Sequence, residues 1–392
     1  MKARSFGVFA AIGVIGILVS IWWFAPSKAP PATTAPAAAP LAQASTPFPA
    51  TALSATPNPV ASPAIKPAAT QLDNVVARLL AADSPETSRK ILAELRQLLD
   101  SLPRDVTRRE VLSFLALGKD AATRLDVSVK AGGALGDASS LRVFLLDYLG
   151  QIDKPAAAAL GKQILSTPTS ADEWAVSLRN VAWADDTPRN LAYLRAKSRE
   201  MISNPAWRQN PSSGFLEAFD VIVHARGFEL EPQLTELVRD KENRAVAHAA
   251  YLTLDRLTIA DPVAALASLA AQPELMEGRE QTRANFFARA DVSNPQQRAL
   301  LEGYLLDPRR STQELQTFVG LFPSANYMIS NNLLTEAATP AHADLAARDR
   351  ATLQVVDHWL TDSRFAKLKP QIEAIHSRLG VFVQQAAAPA AP

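Results

Sequence analysis

The sequence predicts an all-α protein: an irregular α-solenoid-like array of about fifteen helices behind one N-terminal transmembrane helix. Three observations predict it. Residues 6–25 carry no charge. Cap-and-proline punctuation recurs along the rest of the chain. Helix starts marked by Pro155, Pro188, Pro232, Pro262 and Pro295 stand 33, 44, 30 and 33 residues apart, the repeat length of stacked helix pairs.

The N-terminal run FGVFAAIGVIGILVSIWWFA is twenty residues long, and eleven of them are Phe, Val, Ile or Leu. As a helix it spans roughly 30 Å, the thickness of a bilayer core. Lys2 and Arg4 precede it, so the positive-inside rule keeps residues 1–5 in the cytoplasm. Trp22 and Trp23 fall at the far interface, where amphipathic rings prefer to sit. The run exceeds the apolar region of a cleavable signal peptide, and bulky Trp, Phe and Pro26 crowd its exit. The expectation is an uncleaved single-pass anchor. The Ala, Arg and Leu bias suggests a bacterium, so the membrane is the inner one and the following domain lies in the periplasm.

Residues 26–70 change character. Eleven of the 45 are Pro and fifteen are Ala, with Lys28 and Lys66 the only charges. Such a segment favours extended polyproline II and acts as a semi-rigid spacer, reaching on the order of 140 Å at about 3.1 Å per residue. The tail, residues 386–392, repeats this composition and reads as disordered.

Residues 71–385 read as the helical domain. Ser84-Pro85 supplies a capping hydroxyl and then a proline at the first helical position. Ile91, Leu92, Leu95, Leu98, Leu99 and Leu102 follow on one stripe until Pro103. Thr187-Pro188, Asp261-Pro262, Asn294-Pro295 and Thr339-Pro340 repeat the signal. Ser170 with Glu173 and Ser311 with Glu314 have capping-box spacing. Gly118, Gly150 and Gly227 read as stops. Only Leu125 to Val129 alternates like a strand, shortly before Gly132-Gly133.

Composition narrows the function classes. The first 70 residues hold four cations and no acid; the remainder has 36 cations against 39 acids. A near-neutral domain releases few counterions from a phosphate backbone, so nucleic acid is not an expected partner. The absence of cysteine removes thiolate chemistry, thiolate zinc sites and disulfides.

Two resemblances follow from particular residues. The stretch from Lys241 to Ala271 resembles a HEAT-like unit: Asn243, Arg244, Ala245 and Ala249 open one helix, and Asp261-Pro262 with Ala264, Ala265 and Leu266 opens the next. The stretch from Asp137 to Leu160, with Leu141-Arg142-Val143-Phe144 and then Ala156 to Ala159, looks similar. That resemblance implies a surface for binding proteins, without intrinsic chemistry. The architecture of anchor, Ala/Pro-rich linker and helical domain resembles bacterial lipase-specific foldases, which implies a steric chaperone for a secreted client. Their motif is Arg-x-x-Phe-Asp and then an aromatic. Here Arg142, Phe144, Asp147 and Tyr148 occur, but Leu145 and Leu146 break the spacing, and Phe144 and Tyr148 continue a core stripe.

No catalytic signature appears. The five histidines, His224, His248, His342, His358 and His376, form no H-E-x-x-H and no pair three to five residues apart. His248 in an Ala-rich helix reads as a packing residue. No nucleophile elbow, phosphate loop or dinucleotide fingerprint is present. The Gly7, Gly13 and Gly16 cluster in the anchor lacks G-x-x-x-G spacing. Asp172-Glu173 and Asp185-Asp186 read as acids at helix starts. Arg108-Arg109 and Arg309-Arg310 read as solvated faces, and Trp174 and Trp183 as core. The stretch FPSANYMISNN departs from the helical grammar; Asn326, Tyr327, Asn331 and Asn332 are its candidate protein-contact residues. The chain therefore reads as a non-enzymatic, membrane-anchored scaffold or adaptor for another protein, with no cofactor and no metal. A foldase-like chaperone, or an enzyme with a long-range site, is the alternative.

Overall fold

In the computed structural model, residues 68–325, 332–336 and 342–387 are described. The expected anchor at residues 6–25, the linker up to residue 67, the Thr339-Pro340 start, and Asn326, Tyr327 and Asn331 lie outside the described residues. Among the described residues no helix is long and apolar enough to cross a membrane.

Those residues form eighteen α-helices and one small hairpin. The first group is α1 (Ala68–Leu80), α2 (Pro85–Ser101) and α3 (Arg104–Ala116). Helix α1 thus begins three residues inside the stretch assigned to the linker. Strands β1 (Ser128–Val129) and β2 (Leu135–Asp137) pair antiparallel, Ser128 opposite Asp137 and Val129 opposite Leu135, with a bulge between. Gly132 and Gly133, both at φ +79°, turn the chain between them. Then come α4 (Leu141–Ile152), α5 (Lys154–Ile164), α6 (Ala171–Ala184), α7 (Pro188–Ser203) and the short α8 (Pro205–Gln209), α9 (Ser213–Glu217) and α10 (Asp220–His224). The series continues with α11 (Glu231–Val238), α12 (Arg244–Ala260), α13 (Pro262–Ala271), α14 (Glu280–Phe287), α15 (Pro295–Leu306) and α16 (Thr312–Leu321). It ends with α17 (His342–Thr361) and α18 (Lys369–Ala387). The most extensive contacts join near neighbours in sequence: α5 with α6, α11 with α12, α14 with α16, and α17 with α18.

The local signals explain these boundaries. The Ser84 hydroxyl accepts from the Thr87 N–H at 3.2 Å. Thr187, Asp261 and Asn294 cap α7, α13 and α15 in the same way, each followed by proline. Ser170 and Ser311 cap α6 and α16 through the N–H of Glu173 and Glu314, each at 3.1 Å. Gly118, at φ +68°, follows the end of α3 as expected of a left-handed stop.

The other two glycine stops differ. Gly150 lies inside α4, where a Cβ would come 2.3 Å from Asn180 Oδ1. Glycine is there to admit a neighbouring helix. After α10 the left-handed residue is Arg226 at φ +51°, and the Gly227 N–H bonds back to Ile222 O at 2.9 Å. That is a Schellman closure with arginine in the usual glycine position.

Apolar residues on the facing stripes form one continuous core. Ile91, Leu92, Leu95 and Leu99 of α2 are buried in it. Trp174 is buried as expected, whereas Trp183 is only half-buried. In the C-terminal part six rings touch in sequence: Phe287, Tyr304, Phe318, Phe322, Trp359 and Phe365. The Phe287–Tyr304 pair stacks at 4.2 Å. Such pairs contribute about 0.5–1.5 kcal/mol each beyond their buried area.

One buried acid sets a pH dependence. Glu231, at the start of α11, is 1 % exposed, and burial pushes its carboxyl up to about 7 while Ser268 opposes. A carboxyl whose folded pKa exceeds its unfolded value stabilises the fold only when protonated. Stability should therefore fall as pH rises from about 4.5 to about 7, by on the order of 3 kcal/mol. Glu231→Gln should remove that slope, raising stability at pH above 7 while leaving it nearly unchanged near pH 4.5. Urea unfolding of both proteins across this range checks it; parallel curves would refute the assignment.

Candidate functional site

The most organised polar feature is a series of buried Arg–carboxylate pairs, each joining a helix to the next but one. Arg179 of α6 donates to Asp147 of α4 at 2.6 Å. Arg142 of α4 makes a two-pronged pair with Glu173 of α6 at 2.8 and 3.1 Å. Arg289, just after α14, grips Asp255 of α12 at 2.6 and 2.8 Å. Arg283 of α14 grips Glu314 of α16 at 2.7 Å through both nitrogens. Arg256 of α12 meets Asp220 of α10 at 3.3 Å. The partners are 32, 31, 34, 31 and 36 residues apart. Planar guanidinium forks match carboxylates in two-pronged geometry, which makes these pairs specific cross-links.

Several residues read otherwise from the sequence belong to this system. Glu173 and Glu314 do occupy capping-box positions, and their backbone N–H groups are capped. Their carboxylates, however, turn sideways to arginines on other helices. Asp172 likewise accepts from Ser139 and Ser212 hydroxyls, both at 2.5 Å, and from the Gly214 N–H at 3.1 Å. Asp185 ends α6 and accepts from Thr187, whose hydroxyl caps α7. Arg310 is not on a solvated face. Its side chain is 6 % exposed and pairs with Asp307 and Glu314, while Arg309 stays exposed on Asp307. Arg108 is half-exposed and meets Asp153.

The four foldase-like residues face inward. Arg142 serves Glu173, and Phe144 stacks with Tyr148 under the Arg96 guanidinium. Tyr148 Oη donates to Asp100 at 2.7 Å. Asp147, 1 % exposed, accepts from Arg179, from the Leu135 N–H at 3.0 Å and from Gln151 at 2.7 Å.

One rung is used differently. The Asp220 carboxylate accepts from the N–H groups of Leu334 at 2.7 Å and Thr335 at 2.9 Å, and from the Thr335 hydroxyl. Arg256 Nη2 donates to Asn332 Oδ1 at 2.7 Å, and the Asn332 amide closes onto Thr335 O at 2.9 Å. Burial and the Asp220 charge push the nearby Glu217 carboxyl above its ordinary range, with Arg256 opposing. Leu333 is buried, and its carbonyl abuts the backbone of Gly133, where a Cβ would come within 2.1 Å of the oxygen. Gly133 O accepts from Arg179 at 2.8 Å. Residues 332–336 therefore bridge the hairpin, α10 and α12. Of the four candidate contact residues, Asn332 is described, and it points into the fold with 7 % exposure.

A separate shallow cleft of about 240 Å³ is lined by Pro168, Trp174, Glu200, Asn204 and Trp207. The two indoles meet edge-on at 5.2 Å. Lys197 pairs with the cleft's Glu200 at 2.8 Å and lies 5.7 Å over Trp174. The cleft is smaller than the roughly 300–1,000 Å³ typical of small-molecule sites. Among the described residues no group of three or more His, Asp or Glu is placed to hold a metal ion. His224 and His376 each face one aspartate, Asp186 and Asp357, and burial lowers the pKa of His248.

Neither a protein-family model, nor a curated protein, nor a solved structure matches the chain.

Proposed function

We propose that the chain is a membrane-anchored extracytoplasmic scaffold or adaptor that binds another protein through an α-solenoid-like array. A transmembrane helix over residues 6–25 holds it in a bacterial inner membrane with the N-terminus inside. The residues up to 67 that follow it are the spacer. The observation that carries the reading is the spacing of the buried ion pairs. Each Arg–carboxylate pair joins residues 31–36 positions apart, within the 30–44 range of the proline-marked helix starts. Stacked units of that length present a surface built from many side chains, suited to a protein partner. The polar side chains described above are spent on structure, which favours binding over catalysis.

The experiment is a pair of linker variants in cells, with the partner recovered by crosslinking in intact membranes. Scrambling residues 26–67 at constant composition should preserve the complex, because stiffness and contour length are kept. Deleting about 30 of them removes roughly 90 Å of reach and should abolish it. Full complex formation after the deletion would sink the tethering reading. Reporter fusions after residue 70 should be active only with an extracytoplasmic reporter; activity of a cytoplasmic reporter would reverse the topology.

A further inference from the structure

The Asp220–Arg256 rung stands apart from the other four. Its direct contact is single and long, 3.3 Å against 2.6–2.8 Å for the shortest contact in each of the others. Both groups turn their shorter hydrogen bonds toward residues 332–336, which are 76 to 115 positions away in sequence. The carboxylate reads two consecutive backbone N–H groups and a hydroxyl. The guanidinium reads a side-chain amide oxygen. Leu333 is inserted beside Gly133, whose missing side chain admits the close approach. Trp183 lies 3.3 Å from the position a Gly133 Cβ would take. The contacts named here are addressed to a short bend with asparagine first, an apolar residue second and a hydroxyl residue fourth. None depends on chain connectivity to the array.

We infer that the pocket formed by Gly133, Asp220 and Arg256 is a peptide-recognition site, filled in cis by Asn332–Glu336 and taken in trans by a partner segment with an Asn-Leu-Leu-Thr-like bend. The inference rests on the scaffold reading and specifies the segment that such a partner presents. Carboxylate capture of adjacent N–H groups is a charge-assisted hydrogen-bonding mode, stronger than a neutral one. The cis segment competes with the partner, so the apparent affinity of the free site is reduced by the fraction of time it is filled.

The test uses the full-length chain in detergent and a fluorescent peptide copying residues 330–338. The vacated variant carries Asn332→Ala, Leu333→Ser and Thr335→Val. It should bind the peptide at least about tenfold tighter than the wild type does, because the competing occupant is gone. Adding Asp220→Ala should remove that gain, and a peptide with Ala in place of Asn332 and Thr335 should not bind. Equal binding to wild type and to a folded vacated variant, or none to either, overturns the inference. If the vacated variant instead captures the segment of a wild-type copy and forms a mixed dimer, the occupant is a second copy and the foreign-partner inference falls. Should the vacated variant not fold, hydrogen exchange on the wild type decides. Leu334 and Thr335 amides should exchange at least about a hundredfold faster than those of α12, since a displaceable segment opens without global unfolding. Exchange at the α12 rate makes the segment a fixed part of the core and overturns the inference. A crosslinked partner recovered from membranes together with failed peptide binding removes this site while leaving the scaffold reading in place.

Discussion

Arg179→Met should destabilise the helical domain by about 3–5 kcal/mol, the cost of removing one partner from a buried ion pair. The Arg179 side chain is fully buried and Asp147 is 1 % exposed. The guanidinium holds Asp147 at 2.6 Å, Gly133 O at 2.8 Å and Asn180 Oδ1 at 2.9 Å, and lies 4.0 Å over the Trp183 ring. Methionine fills much of the volume but donates nothing. Asp147 would then rely on Arg96, 3.6 Å away, for its positive charge. Most of the cost is therefore the stranded carboxylate, and the second substitution tests this. Asp147→Leu added to Arg179→Met should recover part of the loss, giving a coupling of about 1–3 kcal/mol in a double-mutant cycle. Denaturant unfolding followed by far-UV circular dichroism measures all four proteins. A loss under about 1 kcal/mol for Arg179→Met would mean that Arg96 moves in and replaces it.

The helix starts were legible because their cause is local. A hydroxyl, carboxylate or side-chain amide oxygen three residues before an N–H, followed by proline, is a complete instruction at Ser84, Thr187, Asp261 and Asn294. The hairpin was half legible: Leu125 to Val129 alternates and Gly132-Gly133 turns, but the β2 partner carries no alternation. Gly150 misled because a glycine's local preference says stop, while packing against Asn180 demands the absence of a side chain. The ion pairs were missed for a related reason. Arg310 beside Arg309 looks like a solvated face, and Glu173 and Glu314 look fully used by their caps. The signal that could have found them was arginines and acids recurring at the same period as the prolines. The capture of residues 332–336 by Asp220 had no sequence signal, because its partners are more than a hundred residues apart. An amide-rich stretch reads as surface until a buried arginine is known to face it.

Glu314→Ala should cost a similar amount, about 3–5 kcal/mol, but in a different part of the chain. Glu314 is fully buried and accepts two 2.7 Å bonds from Arg283 and one at 3.4 Å from Arg310. Those side chains are 8 % and 6 % exposed, so two nearly buried cations share this carboxylate. Asp307 still serves Arg310 after the substitution, while Arg283 retains only Pro273 O at 3.2 Å. The α16 cap survives, because the Ser311 hydroxyl binds the backbone of position 314 and not its side chain. The loss therefore reports on the contacts of the Glu314 carboxylate and not on the cap. Glu314→Gln, which keeps the shape and one acceptor, should lose about half as much. Because the most extensive helix contacts join near neighbours in sequence, the damage should stay local. Amides of α14 and α16 should lose protection while α4 and α6 keep theirs, and Arg179→Met should show the reverse. The two substitutions share no partner, so their effects should add to within about 0.5 kcal/mol. Uniform loss of protection in either variant would mean that the helices unfold as one cooperative block, and that the buried ion pairs couple the helical domain end to end.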